Sequence, residues 1–426
     1  MSEKLRSIRG IHDGLPAEVR RWRYIEDAAQ RVFARYGFSE VRLPILEPTA
    51  LFVRAVGSDT DIVSKEMYRF EDQGGDDICL RPEGTAGSVR AYLQAGLTRS
   101  GAQRWFYIGP MFRRERPQKG RLRQFQQIGA EWLAVAGPSE DVEILAMAHA
   151  FLDELGIADL TLEINSLGCP ACRPAYRDKL VAFLEERSAD LCGTCHTRMH
   201  TNPLRVLDCK TESCQAQLGD APEMIAHLCA DCQTHFDTLI SGLNGLMIPH
   251  RINPRIVRGL DYYNRTAFEI ITGKLGAQGT VLAGGRYDGL IEEQGGPSTP
   301  AIGFAAGLER LAMLLPEIAD TQADIAVVAL GDAANGYALS SYALKIADQL
   351  RRGGCRVIHC GGGSAKRQFK IADREQARFV AVIGDDEMHA GTLRLKNMQS
   401  GEQADVSVET AIGECRSLRQ LNSSPS

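Results

Sequence analysis

The 426-residue chain contains no apolar run approaching the roughly 18 residues that a bilayer-spanning helix needs, so no membrane segment is expected. Its opening, MSEKLRSIRGIHDGLP, has none of the apolar core of a secretory signal. Excess positive charge is also missing. The net charge is −5 and the pI about 6.0, which excludes a protein coated in nucleic acid and leaves room for a local basic groove. No GxxxxGK[ST] is present, so phosphates are not held by a P-loop. No internal repeat is visible, and only the tail over 421–426 reads as disordered.

Cysteine, by contrast, is plentiful, with 12 in the chain. Without a signal peptide these read as reduced thiols or metal ligands, and a cytoplasmic location is expected. The hydrophobic fraction of 44% and charged fraction of 24% are ordinary for a globular protein. The length suggests two or three domains, each able to bury a core without staples.

Apolar residues at Val19, Trp22, Ile25, Ala29, Val32 and Phe33 follow helical spacing, and Gly37 is a natural stop. SEVRLPILEP reads as a strand broken by Pro44 and Pro48, and DDICLRPEGT as a strand ending in a turn. QRWFYIGPMFRRE and QFQQIGAEWLAVA read as strands, with the hairpin-like loop RPQKGR between them. SEDVEILAMAHAFLDELGI reads as an amphipathic helix with Ser139 as its N-cap. From Cys169 to Phe236 cysteines cluster among helical stretches, which suggests an inserted subdomain over 169–236. Strands return with HRINPRIVRGLDYY, TAFEIIT and TVLAGGRYDGL, and AIGFAAGLERLAMLL places a helix directly after a strand. Past Asp320 the strand–helix alternation indicates a small α/β domain with a mostly parallel sheet over 324–420. The remainder, 1–168 and 237–320, reads as an α+β domain: an antiparallel sheet flanked by helices.

Two stretches carry chemistry. RGLDYYNRTAFE sets Arg258, Asp261, Tyr262 and Tyr263 at the end of a strand. Between Arg113 and Arg123 there are six basic residues and one acid, Glu115. Period-two alternation then puts Gln127 and Glu131 on one sheet face. Arginines beside a polar sheet face suit a triphosphate, because the guanidinium fork matches phosphate oxygens. Arg310, in GLERL, is either an exposed helix residue paired with Glu309 or a further member of this set. RPEGT, with Glu83 and Thr85 one strand period apart, is by itself an ordinary turn.

Taken together, FRRERPQKGRLRQF resembles motif 2 of the class II aminoacyl-tRNA synthetases, AIGFAAGLERL their motif 3, and VRLPILEP the short motif 1. RGLDYYNRTAFE and AGGRYDGL resemble the signatures of the histidine-specific members. SIRGIHDGLP is similar to their usual opening, and the last hundred or so residues resemble their anticodon-binding domain. The resemblance implies a homodimeric histidine–tRNA ligase acting on histidine, ATP and tRNA(His), with Mg²⁺ on the phosphates and motif 1 at the dimer interface. It further implies that Tyr262, Tyr263 and Glu131 line the imidazole pocket, with Glu83, Thr85 and Gln127 around the amino group. Arg113 and Arg258 would flank the α-phosphate, Arg258 also nearing the substrate carboxylate, with Asp261 an orienting partner. Glu115, Arg121 and Arg310 would complete the ATP site, and Gln118 and Lys119 would contact the tRNA acceptor stem. GGGSAKRQFKIADREQA would face the anticodon arm, or is simply a solvated helix.

The pairs Cys169–Cys172, Cys192–Cys195 and Cys229–Cys232 are each CxxC, the spacing with which one tight turn chelates zinc. They make a structural zinc the metal expectation for the insert, against packing as small hydrophobic residues. Cys209 and Cys214 lie between them and are assigned no role, and no histidine of the region is taken as a ligand. Two competing readings are a regulatory paralogue that binds histidine without catalysis and an RNA-binding module. Intact arginines and RGLDYY disfavour both.

Overall fold

The computed structural model describes residues 5–57, 60–118, 120–257, 260, 262–276, 279–316, 318, 323–331 and 336–422. The chain divides into two compact units, Met1–Ile318 and Ala319–Ser426.

In the first unit, α1 (Pro16–Arg35) starts at a proline whose fixed φ suits a first helical turn, and buries Ile25, Ala28, Ala29, Val32 and Phe33. It ends at Gly37, where φ is +77° and the N–H bonds Ala34 O, while the Phe38 N–H returns to Phe33 O. The proline-rich stretch expected as one broken strand is two: β1 (Ser39–Glu40) and β2 (Leu46–Pro48), in different sheets. Then come α2 (Thr49–Val56), β3 (Tyr68–Glu71), β4 (Asp77–Leu80), α3 (Thr85–Gln94), and the long hairpin β5 (Gln103–Phe112) and β6 (Gln124–Leu133). α4 (Pro138–Glu154) is preceded by Gly137 at the N-cap. Ser139, expected as the cap, falls one residue inside, where its hydroxyl bonds Glu140 at 3.0 Å, because Pro138 already occupies the first helical position. β7 (Thr161–Ser166) leads into the cysteine-rich stretch, which is helical as expected: α5 (Arg173–Glu185), α6 (Gly193–Thr201), α7 (Glu212–Gln217) and α8 (Ala230–Gly245). α8 continues past position 236. β8 (His250–Ile252), β9 (Asn264–Ile271), β10 (Thr280–Arg286), α9 (Leu290–Glu293), β11 (Ala301–Gly307) and α10 (Leu308–Leu314) complete the unit. β8 covers only the start of the stretch read as a strand from His250, because Pro254, which has no N–H to give a ladder, stands in a turn.

Eight strands form one sheet in the order β1-β5-β6-β11-β10-β9-β7-β8. Its middle is antiparallel, and only the edge pairs β1–β5 and β7–β8 are parallel. Period-two alternation gives the faces opposite characters. On one side Phe106, Ile128, Trp132, Phe304, Phe268 and Ile270 pack against α1, α4 and α10, with Phe33 ringed by Phe106, Phe151 and Phe304 at 5.3–5.8 Å. On the other side the register aligns Gly109, Gln127 and Gly307, then Tyr107, Gly129 and Ala305, then Trp105, Glu131, Gly303 and Gly285. Small residues on this face leave a trough over the sheet. The cysteine-rich helices share one apolar cluster with α3, Tyr262 and Tyr263 on the trough side.

In the second unit β12 (Ile325–Ala329), α11 (Gly336–Arg352), β13 (Val357–His359), α12 (Ala365–Arg374) and β14 (Phe379–Ile383) alternate, followed by α13 (Asp385–Ala390), β15 (Leu393–Asn397), β16 (Gln403–Val406) and α14 (Val408–Asn422). The sheet order is β13-β12-β14-β15-β16, parallel through β14 and antiparallel beyond. The expected parallel sheet therefore carries an antiparallel edge hairpin. α14 occupies the first two residues of the stretch read as a disordered tail, and the remaining four lie outside the described residues.

A buried ion pair ties the first unit together. Arg286, at the end of β10, and Asp141, in the first turn of α4, are both 0% exposed, with Nη2 and Oδ1 at 2.6 Å. Asp141 Oδ2 also accepts from Thr266 Oγ1 at 2.5 Å and meets His235 Nε2 at 2.8 Å, and Arg286 donates to the Val135 and Gly137 carbonyls. Burial alone would raise the Asp141 carboxyl, but His235 and Arg286 together hold it below the ordinary carboxylate range. Asp141→Ala leaves the buried Arg286 guanidinium with only the partly exposed Asp288, 3.0 Å from Nη1, and should destabilise this unit by about 3–5 kcal/mol in denaturant titration.

Candidate active site

The trough has two chemically different ends, separated by the Gln127–Glu131 span of β6, about 13 Å at roughly 3.3 Å per residue. At the Glu131 end everything polar converges on one carboxylate. Glu131 is 1% exposed. Its Oε1 accepts from Thr85 Oγ1 at 2.7 Å and Tyr107 OH at 3.3 Å, and its Oε2 accepts from Tyr287 OH. Burial pushes its pKa up to about 8, against the pull of these hydroxyl donors.

Glycines make the room. A Cβ on Gly303 would lie 1.9 Å from Glu131 Oε2, and a Cβ on Gly84 or Gly129 would come within 2.2 Å of the Tyr107 ring. Tyr107 is thus seated between Gly84 and Gly129. Tyr262 and Tyr263 lie 4.6 Å apart by ring centroid, with Tyr287 edge-on to Tyr262 at 5.7 Å. A Cβ on Gly285 would come within 2.9 Å of the Tyr263 ring, so β10 approaches as closely as a bare backbone can.

Glu83 sits beside this cluster. Its two carboxylate oxygens accept the Thr85 and Ala86 backbone N–H groups at 2.6 and 2.9 Å, closing the start of α3. Thr85 is therefore the first residue of a helix, and not, as the period-two reading had it, a strand-end neighbour of Glu83. Burial raises the Glu83 carboxyl, partly offset by those N–H groups and by Arg113. Midway along β6, Gln127 Oε1 is buried and has no hydrogen-bond partner among the described residues. An orphaned buried acceptor of this kind suits a ligand donor.

The other end is cationic. Arg113 donates to Pro82 O at 2.9 Å and lies over the Phe125 ring, 5.4 Å from its centroid. Arg121 pairs with Glu115. Arg310 follows Gly307 by three residues, with its Cδ 3.3 Å from where a Gly307 Cβ would be. Burial, then the nearby Arg121 charge, lowers the Arg310 pKa. Glu309 is not its partner: the Glu309 carboxylate accepts the Gln126 N–H at 2.7 Å, and burial pushes its pKa up to about 7. The structure thus brings Arg310 to the motif 2 arginines and rejects the exposed Arg310–Glu309 pair. Glu66, which nothing in the sequence marked, also lies here. Its carbonyl accepts the Arg114 N–H at 2.6 Å, and burial followed by Glu115 raises its carboxyl.

Gln118 bridges to Arg121 across the exposed turn of the hairpin. The N-terminal SIRG packs on this loop, with Arg123 N–H bonding Gly10 O at 2.8 Å. Arg258 and Asp261, and Lys119 at the loop tip, lie outside the described residues. Sequence reasoning missed Tyr107 and Tyr287 as members of the carboxylate cluster. Their signal was the alternation of glycine and alanine in QIGAEW, AGGRY and AIGFAAG, which clears one sheet face for them. The cysteines sort differently from the three CxxC pairs. Cys169, Cys172, Cys229 and Cys232 form one group and Cys192, Cys195, Cys209 and Cys214 another. Two cysteines assigned no role from the sequence therefore join a possible ligand set.

An antiparallel sheet with a basic hairpin, a helix-borne arginine directly after a strand, and a buried polar pocket between them defines a class II aminoacyl-tRNA synthetase catalytic domain. A family model for histidyl-tRNA synthetase matches residues 10–311, and one for an anticodon binding domain matches residues 324–418. The histidine–tRNA ligase of Trichlorobacter lovleyi is 49% identical over 407 residues, 95% of this chain and 96% of that protein. That of Geobacter metallireducens is 50% identical over 410 residues, 95% and 98% of the two chains. The crystal structure of apo S. aureus histidyl-tRNA synthetase superposes with a TM-score of 0.79 at 34% identity, covering 97% of this chain and all of that one. The chain belongs to the histidyl-tRNA synthetase family.

Glu131 and Glu309 both take up protons on folding, with folded pKa values near 8 and 7 against 4.5 for the free side chain. Their stabilising contribution is full below that value and is lost as pH rises through 7 to 8. Glu131→Gln should flatten the upper part of this fall in a pH series of melting temperatures on ligand-free protein, leaving the Glu309 part.

Proposed function

We propose that this chain activates histidine with ATP and transfers it to the 3′ end of tRNA(His). The observation that carries the reading is the polarity of the trough: a buried carboxylate–phenol cluster at one end, three arginines at the other. Histidine offers an amino group, a carboxylate and an imidazole with two distinct nitrogens. A pocket that hydrogen-bonds the ring rejects analogues because its own buried groups would then go unpaired. In this reading Glu131, Tyr262 and Tyr263 receive the imidazole, and Glu83, Thr85 and the orphaned Gln127 Oε1 surround the amino group.

A histidine carboxylate oxygen attacks the α-phosphorus, and the bond to the bridging oxygen of the departing pyrophosphate breaks. Two anions must meet, so the protein's task is positioning and charge neutralisation. Arg113 and Arg258 flank the α-phosphate, Arg121, held by Glu115, takes the γ-phosphate, and Arg310 reaches the triphosphate from α10. Glu115, the acid of this loop, is engaged with Arg121. Mg²⁺ at this end would take most of its ligands from ATP and neutralise phosphate charge. A ribose hydroxyl of tRNA then attacks the mixed anhydride and releases AMP.

Gln118 and Lys119 contact the acceptor stem. The basic helix α12, opened by Ser364 at its N-cap, faces the anticodon arm. The cysteine-rich composition, with 12 in the chain and no secretory opening expected, supports a reducing, cytoplasmic setting. No described helix is long and apolar enough to cross a membrane. Ile45 and Leu46 are 43% and 48% exposed in the motif 1 stretch, which supports its covering by a second copy in a homodimer. A structural zinc in the insert completes the cofactors.

ATP–pyrophosphate exchange, run with each standard amino acid and no tRNA, should proceed with histidine alone. Arg113→Ala and Arg258→Ala should each lower kcat by about 10²–10³-fold. Glu131→Ala should raise the KM for histidine and spare that for ATP. Absence of exchange in folded protein that binds histidine would overturn the reading.

A further inference from the structure

Eight cysteines are gathered into two sets, and in each set the four sulfurs lie within 4.8 Å of one another. We propose that the chain holds two separate tetrathiolate zinc ions, one closing the base of the inserted segment and one inside it. Two zinc sites extend the expectation of a zinc in the insert; their presence stands apart from histidine activation, while the link to Tyr263 rests on the imidazole pocket proposed above.

Sulfur spacing carries the argument. Cys169 and Cys172 sulfurs are 3.6 Å apart, Cys169 and Cys229 3.9 Å, and Cys192 and Cys209 3.9 Å. Zinc–sulfur bonds of about 2.3 Å in a tetrahedron require ligand sulfurs about 3.8 Å apart, whereas a disulfide needs about 2.05 Å. All eight are unpaired thiols.

Backbone donors already point at the sulfurs. The Cys229 N–H lies 3.1 Å from Cys172 Sγ, and the Cys192 N–H lies 3.1 Å from Cys214 Sγ. Such contacts are the outer shell that orients thiolate ligands. Cys172, Cys192 and Cys229 also stand at the N-caps of α5, α6 and α8, beside first-turn N–H groups that have no partner within the helix. Hydrophobic packing alone would need neither the fourfold grouping nor the aimed N–H groups.

The two sites have different consequences. The first links the turn after β7 to the start of α8, the two ends of the insert. That turn grips the strand leading from the pocket: Leu167 N–H bonds Arg265 O at 2.7 Å, Arg265 N–H bonds Gly168 O at 2.8 Å, and Arg173 donates to the Tyr263 carbonyl. A metal at the base therefore steadies Tyr263. The second joins α6 to α7. Between its ligands, Arg198 and Arg205 reach Asp61 at 2.5 and 3.8 Å, so it steadies the outer contact of the insert and leaves Tyr263 untouched.

The full-length protein, purified without chelator, should contain two zinc ions per chain by plasma mass spectrometry, with an all-sulfur X-ray absorption shell at about 2.3 Å. The double variant Cys169→Ser/Cys229→Ser should lose one zinc and bind histidine several-fold more weakly by calorimetry. Cys192→Ser/Cys214→Ser should lose the other zinc with histidine binding unchanged. One zinc or none in the folded wild type, a nitrogen or oxygen in the shell, or iron in place of zinc would overturn the proposal. Unchanged histidine binding in the first variant would overturn the link to Tyr263. The wild-type count and shell decide the matter even where a variant fails to fold. Histidine-dependent exchange on the same preparation separates this outcome from that of the proposed reaction.

Discussion

Arg286 and Asp141 are shut off from water, and an unpaired charge in that position is among the most destabilising things a fold can contain. The pair need not add much net stability, since desolvating both charges offsets most of their attraction. What it does is penalise every arrangement in which they fail to meet. Asp141 comes from α4, Arg286 from β10, Thr266 from β9 and His235 from α8. Those four elements can therefore take only one mutual placement. The next residue, Tyr287, reaches Glu131, and the one after, Asp288, accepts the Ala301 N–H at 3.3 Å. The position of the pocket carboxylate's donor thus follows from an ion pair outside the pocket.

Given that register, the trough is a matter of side-chain volume. β10 and β11 put Phe304 and Leu282 on the core side and alanine or glycine on the other, so the same strands fill one face and empty the opposite one. The emptied face is where Tyr107, Tyr263 and Glu131 are placed. Burial also shifts the groups that line it: it raises Glu131 and Glu83 and lowers Arg310. Groups poised in this way interact strongly with an incoming ligand of complementary charge. The inserted helices share an apolar cluster with Tyr262 and Tyr263, so their order and that of the pocket are coupled.

Periodicity and motif spacing were enough, from the sequence alone, for the antiparallel sheet, the helix after AIGFAAG, and the face shared by Gln127 and Glu131. These are local properties: period two and period 3.6 are set by backbone geometry, and motifs 2 and 3 keep their chemistry in short contiguous stretches. Local reading failed where competing local signals were equally strong. Ser139 lost the cap to Gly137 because Pro138 began the helix, and Thr85 opened a helix where alternation suggested a strand.

The tertiary structure decided whatever depended on partners distant in the chain. Spacing identified CxxC pairs, but which pairs combine, and that Cys209 and Cys214 join them, is settled by how α6, α7 and α8 pack. Arg310 could pair with Glu309 by sequence, yet packing turns Glu309 toward Gln126 and Arg310 toward Arg121. The convergence of Thr85, Tyr107 and Tyr287 on Glu131 spans separations of 46, 24 and 156 residues. No pattern along the chain encodes such contacts, because their energy exists only once the strands are in register and water has been excluded.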